Sequence, residues 1–327
     1  MHPGFFKKLG PIQIDVIKSS IECDLSNISE DDSFNDFVGI ENVKEKSLSF
    51  VYDHGQVLKN IPDNVGLICS KKKAKELDSK QKTIIVKNVQ ETIAKISNIF
   101  YRDLSSEEKN KLSDPIIGNN CEIGKNVIIE NGVIIGNNVK INHGAIIKHN
   151  CKIGDGSKIE SNSVISNSIL EENIYIGSNS ALGQRGFGFS LSNNKNIKIF
   201  HHGRVVIKSN ASIGSGCTID RGSFSDTIIG ENTYLDNLCH IAHNVEIGRN
   251  SAFAAMTGIA GSAKVGNNVL TGGQVGIAGH ITIGSNVQIA AKSGVFYNLR
   301  DGEVVMGNPA INKYKFVKTY KRIYGKR

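Results

Sequence analysis

From residue 117 an isoleucine returns at every sixth position, through Ile123, Ile129, Ile135, Ile141, Ile147, Ile153 and Ile159 to Ile165. The phase slips by one, continues at Leu170, Ile176 and Leu182, and resumes at Ile207, Ile213 and Ile219. After a second slip it runs through Ile229, Leu235, Ile241, Ile247, Phe253, Ile259 and Val265. It misses at Thr271 and goes on through Ile277, Ile283, Ile289 and Val295. A period of six matches neither a helix of 3.6 residues per turn nor a two-sided strand. It fits a triangular coil whose flat sides use six residues each, with one aliphatic side chain per side pointing inward. Stacked coils then lie about 4.8 Å apart, and each buries its interior only against its neighbours, as in a solenoid. Asn pairs such as Asn119-Asn120, Asn137-Asn138 and Asn267-Asn268 fall at the corners, where Asn tolerates left-handed backbone.

The hexad divides the chain. Residues 1–105 lack it, and their apolar runs predict strands at Val65–Cys69 and Thr83–Val86 and an amphipathic helix from Val89 to Tyr101. This describes a small α/β domain. Arg102 to Asp114 is charged and polar, as a linker would be. Residues 106–305 form the β-helix domain, mainly β, interrupted by an excursion from Gly183 to Arg204 and a shorter break from Arg221 to Asp226. Excursions from a solenoid project as loops, and such loops tend to bind. Residues 306–327 form a basic extension with Lys313, Lys315, Lys318, Lys321, Arg322, Lys326 and Arg327 around Tyr314, Phe316, Tyr320 and Ile323. It reads as a short helical tail that caps the prism and displays charge, or as a solvated charged end.

Composition agrees with the corners. The 327 residues include 34 Gly but only 5 Pro and no Trp, which suits many tight turns that still need their backbone N–H groups. The net charge of +8 admits nucleic acid, anionic lipid or an acidic protein as partner. No aromatic run interleaved with Lys and Arg suggests base stacking, so nucleic acid is not expected. None of the 6 cysteines forms a C-x-x-C pair, which argues against structural zinc. No apolar run approaches the roughly 18 residues that span a bilayer. No h-region opens the chain. Reduced thiols and a cytoplasmic location are expected.

Chemistry concentrates in the second hexad block. His243 and His280 are 37 residues apart, two 18-residue coils plus one, and therefore near one side of the prism about 10 Å apart. Imidazole is a general base near neutral pH. Asp236 shares a coil with His243 and would orient the ring or balance its charge. Gly261 is one coil on, where its N–H would face an oxyanion. Each of these histidines, His240 included, also reads as a solvated side chain on a flat face. Three histidines can bind zinc, though no spacing here requires it. No nucleophile elbow, P-loop or dinucleotide fingerprint occurs in the right context. Cys217 and Cys239 read as small wall residues.

Thr218-Ile219-Asp220-Arg221-Gly222, Asp236-Asn237 and Ile241-Ala242-His243-Asn244-Val245-Glu246-Ile247-Gly248 together resemble the UDP-3-O-acylglucosamine N-acyltransferases of lipid A synthesis. So do Gly258-Ile259-Ala260-Gly261-Ser262, Gly279-His280, Gly186-Phe187-Gly188-Phe189 and Gly203-Arg204-Val205-Val206-Ile207, and more loosely Phe6-Lys7-Lys8-Leu9-Gly10-Pro11. The resemblance implies a left-handed parallel β-helix assembled as a homotrimer, with no metal and no resident cofactor. It implies transfer of a 3-hydroxyacyl group from the phosphopantetheine of acyl carrier protein to the 2-amine of a UDP-glucosamine already acylated at O3. His243 would be the base, Asp236 its support, Gly261 the oxyanion donor, and His280 a positioning or catalytic group. Phe50, Asn237 and His240 would contact substrate.

The chain departs from that pattern at Ser49-Phe50-Val51-Tyr52-Asp53-His54-Gly55-Gln56, where an Asn-Pro-Lys-Tyr-like stretch is common. Lys198-Ile199-Phe200-His201 replaces Lys-Ile-Pro-Gln, and His240 replaces a common Gln. The acyl chain is expected to end near Ala290, Ala291 and Gly294. The basic tail would suit acyl carrier protein. A sugar acetyltransferase using acetyl-CoA, or a β-helix scaffold without activity, are the alternatives.

Overall fold

The computed structural model describes residues 4–53, 61–192, 195–307 and 313–325. His54, Gly55 and Gln56 lie outside the described residues, as do Ala310, Lys326 and Arg327. From Ile116 to Val305 the chain winds as a left-handed parallel β-helix. Its three faces are parallel sheets of nine, ten and nine strands among the described residues, led by Ile116–Ile117, Glu122–Ile123 and Ile128–Ile129. These are called the first, second and third faces below.

Each inward hexad residue sits directly on its counterpart one coil away, for example Ile219, Ile241, Ile259, Ile277 and Val295 on the third face. All five are buried, and burying one such side chain stabilises by about 1.5–3 kcal/mol. Thr271, where the hexad misses, takes the inward place between Phe253 and Ile289. Its hydroxyl lies 3.2 Å from that of Thr257, so the polar atom is satisfied inside the wall. The one-residue slip after Ile165 is a short coil, with Ile153 on Leu170 and Ile159 on Ile176. Corner residues take left-handed backbone. Asn232, Asn250, Asn268 and Asn286 have φ of 52° to 60°, and Asn232 donates to Asn250 and Asn268 to Asn286 along the corner.

The first hundred residues fold as expected around a five-stranded sheet in the order Asp24–Ser26, Lys82–Ile85, Gly66–Cys69, Ser47–Phe50 and Asp36–Phe37. The helix Val89–Phe100 starts at Asn88, whose side chain accepts from Glu91 N, and buries Ile93, Ala94, Ile96 and Phe100. The segment read as a linker is more ordered than its polarity suggests. Tyr101–Asp103 pairs antiparallel with Phe6–Lys8. Ser105 and Glu108 form a capping box on the helix Ser106–Asn110, and Arg102 grips Glu108 at 2.6 and 2.8 Å. Such short elements have no apolar periodicity to betray them. In the tail, Lys313–Tyr324 is helical, as expected. Among the described residues no helix is long and apolar enough to cross a membrane.

The excursion ties the two parts together. The third-face strand Ala181–Arg185 runs into a hairpin of Phe189–Ser192 and Lys195–Lys198, which packs on the helix Val89–Phe100. Asn98 donates to Lys198 O at 3.0 Å, and Phe200 N donates to Ser97 Oγ at 3.0 Å. Beyond it, His202 stacks on Tyr101 with centroids 4.0 Å apart and meets Phe224 edge-on. Arg204 grips Asp226 with both Nε and Nη2.

His201 and His202 are buried, and among the described residues no ring nitrogen of either has a hydrogen-bond partner. Burial pushes them down to about 3 and about 4, respectively. Both therefore bind a proton more readily in the unfolded chain, whose histidines titrate near 6.5. Stability should be complete above about pH 6.5 and fall with decreasing pH, by up to about 1.4 kcal/mol per pH unit for each histidine. Thermal melts should show a lower Tm at about pH 5 than at about pH 7.5, and His202→Phe should reduce that difference. An unchanged pH dependence in His202→Phe would contradict this account.

Candidate active site

His243 follows the third-face strand His240–Ile241, at the corner that leads into the first-face strand Glu246–Ile247. Its neighbours one and two coils on are Gly261 and Gly279. The adjoining corner column is Asn244, Ser262 and His280, all left-handed with φ of 60° to 62°. The coils are joined here by Ser262 N donating to His243 O at 2.9 Å and His280 N donating to Gly261 O at 3.1 Å. The repeat therefore brings His243, Gly261 and His280 to one corner, with His280 two coils away and exposed.

The orientation of the His243 ring comes from a residue that sequence reasoning passed over. Nδ1 lies 2.9 Å from Asn244 Oδ1. That oxygen also accepts from Ser223 N at 3.0 Å and Ser223 Oγ at 2.7 Å, while Nδ2 donates to Ser225 O and Oγ at 3.2 and 2.8 Å. A flipped amide would set its NH2 against the Ser223 N–H and its oxygen against the Ser225 carbonyl, losing both backbone bonds, so an oxygen faces the imidazole. His243 then carries its proton on Nδ1 and leaves the Nε2 lone pair available as a base. The signal was present as Asn244 beside His243, but the two serines come from the break at Arg221 to Asp226, which has no repeat to place it.

Asp236, expected beside His243, does not face it within the chain. Seven residues on a coil carry the chain across a whole face, so Asp236 stands at the corner between the second and third faces. Its carboxylate accepts from Asn237 N at 2.7 Å, and it makes no hydrogen bond or ion pair with His243 among the described residues. The Asn237 side chain accepts from Ser215 N at 2.8 Å, as part of the ladder. The acid beside His243 is Asp220. Burial raises its carboxyl above the usual range, while His240, His243 and Arg221 pull it back. His240 Nδ1 lies 2.7 Å from Thr218 Oγ1, and its Nε2 is 3.9 Å from Asp220.

Gly261 is held against the imidazole. A Cβ there would lie 2.8 Å from both Cε1 and Nε2 of His243, so no other residue fits without moving the ring. Its N–H donates to no backbone carbonyl among the described residues and is available to an incoming oxygen.

Two hollows meet at this corner. A cleft of about 1250 Å³ runs from Phe50, Tyr52 and Phe224 to His243, Ser262 and His280. Phe50 packs at 5.1 Å from Phe224 and 5.7 Å from Tyr52. A groove of about 570 Å³ runs along the third face. There the outward column reads Thr218, His240, Gly258, Gly276 and Gly294, and a Cβ at Gly258 or Gly276 would meet nothing within 4 Å. Phe296 lies over Gly294 at its far end. Ala290 and Ala291, expected there, sit instead at a different corner, where Ala291 stacks on Gly272.

Fold and repeat together define a left-handed β-helix built of hexapeptides. The family described as bacterial transferase hexapeptide (six repeats) matches residues 226–261, and the GMPPB C-terminal domain family matches residues 106–188. The chain is similar to the UDP-3-O-acylglucosamine N-acyltransferase of Maricaulis maris, at 48% identity over 71 residues, 22% of this chain and 21% of that protein. It is likewise similar to that of Caulobacter vibrioides, at 47% over 73 residues, 22% of each. The matched segment thus spans about a fifth of the length of these relatives. Among solved structures, LpxA from Acinetobacter baumannii superposes with a TM-score of 0.53 at 23% identity, over 62% of this chain and 84% of that one, a likeness of fold.

Imidazole nitrogen NMR checks the tautomer directly. In the wild type at high pH His243 should carry its proton on Nδ1, and Asn244→Ala should lose that bias. Gly261→Ala should shift the His243 resonances by displacing the ring. A wild-type His243 protonated on Nε2 would refute the arrangement.

Proposed function

We propose that the chain is an N-acyltransferase that moves a 3-hydroxyacyl group from acyl carrier protein to the 2-amine of UDP-3-O-acylglucosamine. The observation that carries this reading is His243 Nε2 set against Gly261 where an apolar groove meets a polar, aromatic-ended cleft. The acyl chain lies in the groove and the nucleotide sugar in the cleft, with uracil against Phe50. The amine attacks the thioester carbon while Nε2 takes its proton, and the Gly261 N–H receives the developing oxyanion. The tetrahedral adduct collapses with cleavage of the C–S bond, and the imidazolium returns the proton to the leaving thiolate. No metal and no resident cofactor enter these steps. His280 holds the acceptor from two coils away, and His240 borders the acyl groove.

A groove of about 570 Å³ is far more than an acetyl group fills, which favours a long acyl donor over acetyl-CoA. The helix Lys313–Tyr324, with Lys321 and Arg322 in its last turn, suits an acidic carrier protein. The homotrimer and the cytoplasmic location follow the same reading.

Single-turnover transfer from 3-hydroxyacyl carrier protein to UDP-3-O-acylglucosamine tests the reaction. His243→Ala should lose about 10²-fold or more with the fold intact. Transfer that survives this change would discard His243 as the base, and turnover of acetyl-CoA alone would discard the donor. Gly276→Leu, placed where a side chain has room but fills the groove, should shift donor preference to shorter chains. An unchanged chain-length profile would remove the acyl chain from the third face.

A further inference from the structure

The cleft and the groove share two lining residues, His243 and Phe187. His243 has its role in the proposed transfer, whereas Phe187 has none so far. It is also a costly residue to place where it is. The residue is 84% exposed, and its aromatic contact is with Phe189, edge-on at 4.9 Å.

The backbone, not the ring, holds Phe187 in position. Gly186 and Gly188 flank it, and Gly188 N donates to Gly186 O at 3.0 Å in a tight turn. A Cβ at Gly186 would lie 2.8 Å from His243 Cβ, and one at Gly188 would lie 2.1 Å from His201 Nε2. The loop therefore lies flat on the two imidazoles, whose centroids are 5.1 Å apart. Arg185 Nη2 donates to Ile199 O at 2.8 Å, and Ile199 N donates to Gly188 O at 3.1 Å, pinning the loop at its base. The result is an apolar ring carried over the junction by a fixed scaffold, with little packing of its own to explain it.

We propose that Phe187 is a specificity-determining residue that closes the junction against water, so that the acyl thioester beside His243 meets the acceptor amine rather than a water molecule. This rests on the acyl-transfer reading above. His243 Nε2 would serve water as readily as an amine. A water oxygen would bond to the thioester carbon, its proton would pass through Nε2 to the leaving thiolate as the C–S bond breaks, and a free hydroxy acid and thiol would result. Excluding water from a site is a recognised way to suppress such a side reaction. With an acyl chain in the groove and an acceptor in the cleft, the phenyl ring that borders both would cover the thioester between them.

The test measures free 3-hydroxy acid and N-acylated product in the same reaction, with the full chain and 3-hydroxyacyl carrier protein as donor. Phe187→Ala should raise the ratio of hydrolysis to transfer about 10-fold or more. Phe187→Leu, which keeps apolar bulk, should return it to the wild-type value, and adding His243→Ala to Phe187→Ala should abolish the hydrolysis. An unchanged ratio in Phe187→Ala overturns the proposal, and so does an equal loss of both products, which would make Phe187 a substrate contact only. In either case wild-type transfer leaves the acyl-transfer reading standing. A wild type that transfers no acyl group to the sugar overturns both.

Discussion

Coil-to-coil registration is the constraint on which the rest depends. Each coil contributes one inward aliphatic per face, and each backbone N–H on a face is answered by a carbonyl one coil away. The prism has no other source of order, because no coil can bury its interior alone. Register errors are expensive, since sliding a face by one residue would turn the inward column outward. That is why the two phase slips are absorbed as whole coils of altered length, and why the excursion leaves and re-enters without disturbing the columns above it.

The same registration builds the site. Corners repeat along the axis, so residues one coil apart in sequence become vertical neighbours at about 4.8 Å. His243 and Gly261 face each other for this reason, and His280 follows one column over. The outward column of the third face then shrinks from Thr218 and His240 to three glycines, and a flat surface becomes a groove. The left-handed backbone at Asn244, Ser262 and His280 is the corner geometry itself, occupied at two of the three positions by residues that adopt it less readily than Asn. Leu238, Met256, Gln274 and Lys292 take the same geometry along another corner.

What the repeat cannot supply comes from the interruptions. The break after Arg221 delivers Ser223 and Ser225 to the Asn244 amide, fixing the tautomer of His243. The excursion from Gly183 lays its glycines on His243 and His201 and then reaches the helix Val89–Phe100, so that the cleft has a second wall. Arg221 binds these parts from beneath, with Nε on His201 O and Nη1 on Gly183 O. The corner of His243 is thus a regular lattice point finished by two irregular segments.

The hexad determined the β-helix, its inward residues, its corners and the shared corner of His243, Gly261 and His280, because a solenoid turns sequence spacing directly into axial distance. The strands Gly66–Cys69 and Lys82–Ile85 and the helix Val89–Phe100 of the first hundred residues were also legible, because they carry ordinary periodic signals. Spacing did not reveal the strand Tyr101–Asp103 or the capped helix Ser106–Asn110, which are too short for any period. It did not show that Asp236 and His243 stand at different corners of their coil, nor that Ala290 and Ala291 lie off the third face. Asn244 as the partner of Nδ1, Asp220 as the nearby acid, and Phe187 at the junction of two hollows depend on contacts between segments with no common repeat. Only the tertiary structure decided those, since side-chain direction and loop path are set by packing rather than by position along the chain.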